Sequence, residues 1–317
     1  MKMLLPITLT LLTMHAYAGL EGIKVIYGKD NRQDVYQSTN AMHKKLAKSN
    51  AAMIHMGHFQ KGLKDGFFDL RSVPTLEAGQ NVCAKETFSQ QLTAATCSGF
   101  LVSPDTLVTA GHCYQGFDTP ENVCKTFAWV FDYEMKSSYH NPTKNIPITN
   151  IYTCKKVVTA QLTNMTDFAV IKLDRKVVGR EPLKFRTSGK IADSTSLVVI
   201  GHPTGLPTKI TTGGKITKNS ESNTFSTTLD TFHGNSGSAV FDAKTGLVEG
   251  ILIQGKIDYI PSNPRDPKSC NVVNKCDDNG NNCIAGEQLG TIKWGEVVLR
   301  ISDAVPYINY ASTMTVK

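Results

Sequence analysis

The sequence predicts an all-β fold: two antiparallel β-barrels followed by a C-terminal helix. Short runs rich in β-branched and aromatic residues recur through the middle of the chain, divided by Gly, Pro, Asn and Ser, which is the pattern of short strands joined by turns. Long stretches with apolar residues at helical spacing are nearly absent. Length sets the number of units. Setting aside a leader and a short prosegment leaves 317 − 24 = 293 residues, which suits two barrels of ordinary domain size better than one.

From the amino terminus, residues 1–18 read as a secretory signal peptide. Lys2 supplies the positive start, Leu4 to Met14 the apolar stretch, and Ala16-Tyr17-Ala18 the small-residue cleavage site. That stretch is too short to span a bilayer, so the chain is expected to be exported, to the periplasm or beyond the cell, with no membrane partner. Residues 19–24 are then a short propeptide. The only early helical pattern lies at 41–48. Strands are expected near 98–102, 107–109, 127–133, 151–158, 169–173, 197–200, 224–229, 238–241 and 247–254, where Val, Ile, Leu, Phe and Tyr predominate and turn residues stand at the ends. Between the fifth and sixth of these, Asp174-Arg175-Lys176 followed by Gly179 and Pro182 breaks the pattern and marks a junction. The expected units are 25–178 for the N-terminal barrel, 179–300 for the C-terminal barrel, and 301–317 for a terminal helix and tail whose first turn Ser302 or Asp303 could cap.

Composition narrows the function. Hydrophobic residues at 40% and charged residues at 19% describe a globular chain. The formal charge of +7 falls to +6 when Lys2 leaves with the leader (7 − 1). The basic residues are scattered, and Lys44-Lys45 and Lys155-Lys156 are too short to form a nucleic-acid face. Eight cysteines, an even number in an exported chain, favour disulfides over metal ligands or redox thiols. His140, His202 and His233 are too dispersed for a zinc motif. Asp277, Asn279 and Asn281 alternate as calcium ligands do, but Asn282 replaces the glycine at the sixth position and Gln288 the acid at the twelfth. A loop tethered by Cys276 and Cys283 accounts for those residues more simply. Neither metal nor cofactor is expected.

Three short motifs carry chemistry. Thr109-Ala110-Gly111-His112-Cys113, Thr166-Asp167-Phe168-Ala169 and Gly234-Asn235-Ser236-Gly237-Ser238 set a histidine, an aspartate and a serine 167 − 112 = 55 and 236 − 167 = 69 residues apart. Singly, each has an ordinary reading as a loop or turn; their combination in this order does not. A serine hydroxyl is a poor nucleophile without a base beside it, and His112 can be that base because imidazole titrates near neutral pH. Asp167 would hold the imidazole in the productive tautomer. Asp174, the rival carboxylate, follows its strand instead of leading it. Glycines flanking Ser236 let backbone N–H groups approach a substrate carbonyl, so the N–H groups of Gly234 and Ser236 are the expected oxyanion hole.

In these motifs, and in Val25-Ile26-Tyr27-Gly28-Lys29-Asp30-Asn31-Arg32 and Cys97-Ser98-Gly99-Phe100-Leu101-Val102, the chain resembles trypsin-fold (chymotrypsin-like) serine endopeptidases, within them the bacterial branch that includes glutamyl endopeptidases. The likeness covers most of the chain and is weakest after about Gly255. It implies two six-stranded antiparallel Greek-key β-barrels with the site in the cleft between them, His112 and Asp167 on the first and Ser236 on the second. It also implies a monomeric hydrolase of protein or peptide substrates working through an acyl-enzyme on Ser236, a mature start at Val25, and a Cys97–Cys113 disulfide bracing the histidine loop. The pairing of the other six cysteines stays open, with Cys124 and Cys154 one expected pair.

Cleavage preference should be set beside Ser236 by Asp230, Thr231 and His233 and by Leu252, Ile253, Gln254 and Gly255 on the strand that follows. The branch's glutamyl enzymes carry a histidine where this chain has Leu252, although Thr231 is retained. Asp230 occupies the place of the pocket-floor aspartate of trypsin-like enzymes, which implies a preference for Lys or Arg. The alternatives are that Asp230 turns into the barrel and pairs with a framework lysine or a backbone N–H, that cleavage follows glutamate, or that the protein is a catalytically silent binding module. Asn235 stands where trypsin has the aspartate that captures a freed amino terminus, so that salt-bridge switch is unavailable.

Overall fold

The computed structural model describes residues 25–314 except 117, 164–165, 267 and 285–293. The expected signal peptide and propeptide, and Gln288, lie outside the described residues. The first unit is a closed six-stranded barrel in which Ile151–Thr163, Thr166–Leu173, Thr106–Thr109, Ala95–Ser103, Asn50–His55 and Phe127–Phe131 follow one another around the wall. Every neighbouring pair is antiparallel. Alternate residues point inward, so Met53, Leu101, Leu107, Trp129, Phe131, Tyr152 and Ile171 fill one core. Asn50–His55 was not expected as a strand, because Asn-Ala-Ala-Met carries little β preference; two flanking strands and full burial of Ala51 to Ile54 override it.

The second unit curls into a half-barrel of eight strands, ordered Ile216–Lys218, Thr224–Thr227, Glu296–Arg300, Val248–Gln254, Ala239–Asp242, Leu197–Gly201, Lys209–Gly214 and Arg32–Asp34. The last of these comes from the amino-terminal end. Arg32–Asp34 pairs with Lys209–Gly214, and Ile26–Tyr27 pairs in parallel with Lys275–Cys276. Residues 25–34, expected in the first barrel, therefore belong structurally to the second.

Between the units lies a shared core. Phe100, Val108 and Phe168 from the barrel meet Ile200, Val248 and Leu299 from the half-barrel, and the terminal helix Val305–Thr313 adds Ile308 and Ala311. That helix starts later than expected. Ile301–Asp303 forms a single 3₁₀ turn, so neither Ser302 nor Asp303 caps the helix, and Pro306 sits in its first turn instead.

All eight cysteines are bridged: Cys97–Cys113, Cys124–Cys154, Cys83–Cys270 and Cys276–Cys283. Cys83–Cys270 spans 187 residues and ties the segment ahead of the first barrel's Ala95–Ser103 to the chain's late excursion. Closing so long a loop is worth about 5 kcal/mol in the chain-entropy account. Cys276–Cys283 closes the Asp277 loop, where both carboxylate oxygens are spent on local donors, the N–H groups of Asn279 and Asn281 and the amide of Asn282.

Candidate active site

His112 opens the short helix His112–Gln115 directly after the strand Thr106–Thr109, and Asp167 lies near the start of the neighbouring strand Thr166–Leu173. Pairing of those strands brings the two side chains together. The His112 Nδ1–H donates to Asp167 Oδ2 at 2.7 Å, and the His112 backbone N–H donates to Asp167 Oδ1 at 2.9 Å. With both oxygens engaged, the ring is fixed and Nε2 is left for another partner. Asp174 is excluded from this role, because its Oδ1 accepts the Thr153 N–H at 3.0 Å and its Oδ2 pairs with Arg175 at 2.7 Å.

The serine loop needs its glycines for two separate reasons. Gly234 and Gly237 both have φ of +84°, a region costly for residues with a Cβ. A Cβ on Gly234 would stand 2.6 Å from His202 O, and one on Gly237 would stand 2.2 Å from Ser98 O and from Thr109 Oγ1. Such close approach presses the loop onto the first barrel. The Ser236 carbonyl accepts the Ser98 N–H at 2.8 Å and lies 3.8 Å from Cys113 Sγ, one residue beyond His112. Asn235 keeps its side chain in the loop, where Ser238 Oγ donates to its Oδ1 at 3.2 Å. The Cys97 and Cys113 sulfurs also lie within 4.8 Å of His112, but they are bonded to each other and are not thiolate ligands.

A buried polar network backs the loop. The His233 carbonyl accepts the Thr204 N–H at 2.5 Å, which turns the Gly234 N–H to the opposite side of that peptide. Ser98 Oγ donates to Gly234 O at 2.8 Å and accepts the His202 N–H at 2.9 Å. His202 is fully buried, and desolvation, aided by Lys209, brings its imidazole down to about 3. Between about pH 6.5 and 3 the unfolded chain therefore binds a proton that the folded chain refuses. Stability present above pH 6.5 is lost as pH falls through that window, by several kcal/mol. Asp230, whose carboxyl burial pushes up to about 7, opposes this: its contribution falls as pH rises from about 4 to 7. The two are separable by substitution. A His202→Gln variant is expected to show a flatter melting-temperature profile below pH 6.5 than the parent; parallel profiles would remove the argument.

The expected pocket residues divide. Asp230 is 2% exposed, and both its oxygens are taken: Oδ1 accepts the Tyr27 N–H at 2.7 Å and Oδ2 the Asn31 N–H at 2.8 Å. It pins the amino-terminal segment to the half-barrel and does not offer a free carboxylate to a basic side chain, which corrects the pocket-floor reading. Thr231 is likewise buried and donates to Glu296, which also accepts from Tyr27 Oη at 3.0 Å. Leu252 points into the half-barrel core with Leu229, Val240 and Val298 and touches the site only through its backbone, its O accepting the Gly237 N–H at 2.8 Å and its N–H donating to Ser238 O at 3.0 Å. Ile253 and Gln254 are half-buried and Gly255 buried.

His233 stands at the rim. Its ring is 43% exposed, and Nδ1 and the backbone N–H both donate to Asp258 Oδ2, at 2.7 and 3.0 Å. Ser98, Asp258 and Glu296 were not expected at the site, since only the fold reveals their partners. For Ser98 a hint existed, its place beside Cys97.

Residues 97–251 match the family model of a trypsin-like peptidase domain. That span contains all three motifs. The double-barrel fold, the matched domain and the histidine–aspartate pair beside a glycine-flanked serine define a hydrolase of the peptidase class. The chain is a serine endopeptidase carrying a trypsin-like peptidase domain, and its substrates are proteins or peptides. Among solved structures it is similar to a Glu endopeptidase in complex with MPD, with 16% identity over 92% of this chain and 100% of that one and a TM-score of 0.48. It is also similar to the VesB protease of Vibrio cholerae, with 12% identity over 92% of this chain and 68% of that one and a TM-score of 0.49. Curated proteins gave no match.

Proposed function

We propose that the protein is an exported endopeptidase in which Ser236 forms the acyl-enzyme. His112 takes the serine proton and returns it to the leaving amine, Asp167 orients His112, and the N–H groups of Gly234 and Ser236 stabilise the oxyanion. The observation that carries this reading is the 2.7 Å bond from His112 Nδ1 to Asp167, made beside the one loop of the chain that sets glycine, asparagine, serine and glycine in succession. Export is supported by the leader pattern of residues 1–18 and by four disulfides.

Cleavage after Lys or Arg loses its main support once Asp230 is spent on backbone N–H groups. One observation favours cleavage after glutamate as a second reading: His233, next in sequence to Gly234, is anchored to Asp258 through Nδ1 while its side chain stays 43% exposed. The purified protein is expected to react with a serine-directed organophosphate at Ser236 and to digest a peptide library. Lack of labelling would favour the silent binding module. Within the library, matched peptides ending in Lys, Arg, Glu, Leu or Ala at the cleaved bond separate the preferences, and a strict basic preference would overturn the glutamate reading.

A further inference from the structure

Building on the reading of Ser236 as nucleophile and Gly234 as oxyanion donor, we propose that Ser98 is a positioning residue that locks the oxyanion loop of the half-barrel onto the barrel carrying His112 and Asp167. The problem it solves is mechanical. Base and nucleophile sit on different units, and a site loses much of its rate when they drift by even an ångström.

Ser98 is fully buried on the strand Ala95–Ser103, one residue after the cysteine bridged to Cys113. Its N–H donates to Ser236 O at 2.8 Å, and its Oγ donates to Gly234 O at 2.8 Å. One residue thus holds both ends of the Gly234-Asn235-Ser236 turn. Its own carbonyl accepts Thr109 Oγ1 at 2.7 Å, which ties it to the strand leading into His112.

The direction of the hydroxyl proton follows from its neighbours. Thr208 Oγ1 donates to Tyr133 O at 3.0 Å, so its 3.0 Å contact with His202 Nε2 requires that nitrogen to carry the proton. Neutral His202 then has a bare Nδ1, 3.2 Å from Ser98 Oγ, and cannot donate to it. The Ser98 hydroxyl takes the shorter bond, to Gly234 O, while the His202 N–H fills one of its lone pairs. The Gly234 carbonyl belongs to the peptide that lies between the two proposed oxyanion donors, the N–H groups of Gly234 and Ser236, so a hold on it limits rotation of the turn that joins them.

The test measures kcat and KM on a peptide amide together with the affinity of a peptidyl boronic acid, whose tetrahedral adduct occupies the oxyanion site. Ser98→Ala is expected to lower kcat about 10- to 100-fold, with KM changed less than about threefold and boronate affinity falling in step with kcat. Ser98→Thr and Ser98→Val, equal in volume, isolate the hydroxyl: the Thr variant should exceed the Val variant in kcat by a similar factor. A folded Ser98→Ala enzyme with unaltered kcat, or equal Thr and Val variants, would overturn the proposal. So would a crystal structure of the unmutated boronate adduct with Ser98 Oγ out of hydrogen-bond reach of Gly234 O, a measurement that depends on no variant folding. If the unmutated enzyme neither takes the organophosphate nor cuts peptides, the underlying reading of Ser236 fails instead.

Discussion

Replacing Ser236 with alanine is expected to reduce turnover of a peptide amide by about 10⁶-fold, with the folded structure preserved. The size of the loss follows from how the three side chains divide the work. With no hydroxyl to deprotonate, the base at His112 has no substrate of its own, and the Asp167 contact that orients it gains nothing. What survives is the rate supplied by bound geometry and the two N–H donors, roughly 10³ to 10⁴ over water. Folding should be spared because the features that shape the loop are backbone ones: φ of +84° at Gly234 and Gly237, and the Ser236 carbonyl accepting from Ser98. Steady-state hydrolysis and organophosphate labelling check it together. Turnover above about a hundredth of the parent's, or labelling that persists, would move the nucleophile to another residue.

Asp167→Asn is expected to cost about 10⁴-fold in kcat. The isosteric amide can still accept the His112 backbone N–H through its oxygen, so the loop keeps its anchor. Its nitrogen then faces Nδ1, where a 2.7 Å bond now runs to a carboxylate oxygen. Two donors cannot share that contact, so the ring must shift its proton to Nε2, the nitrogen needed to accept one from Ser236. Asp167→Ala removes the orienting group altogether and should be no better. Comparison of kcat with KM discriminates: a defect in proton transfer lowers kcat and leaves KM close to its original value, whereas a collapsed loop changes both.

What could be seen in the sequence was whatever local segments determine alone. The strands around His112 and Asp167 are runs of β-branched and aromatic residues, and the histidine, aspartate and serine motifs are contiguous. The glycines of the serine loop suggested approach to a substrate carbonyl; the close approach at Gly237 is instead to Ser98 and Thr109 of the other barrel. Pocket residues were less legible, because their roles are assigned from a distance. Asp230 stands where a basic-specific enzyme would carry its floor, yet its fate depends on Tyr27 and Asn31, which arrive 203 and 199 residues earlier in the chain. Leu252 could be placed on a strand, but which face of the sheet it occupied depended on register. Ser98 looked like any strand serine until the opposing unit supplied Gly234 and Ser236.

The amino-terminal segment has a bearing on when the enzyme can become active. Ile26 and Tyr27 lie beside Lys275 and Cys276, Arg32 to Asp34 beside Lys209 to Thr211, and Asp230 clasps the stretch between. During synthesis Arg32 to Asp34 cannot dock until Lys209 to Thr211 have been made, nor Ile26 and Tyr27 until Lys275 and Cys276 have. A chain made only through the strands that carry His112 and Asp167 lacks both Ser236 and the segments against which its first residues pair, so on the proposed reading of Ser236 it is inactive.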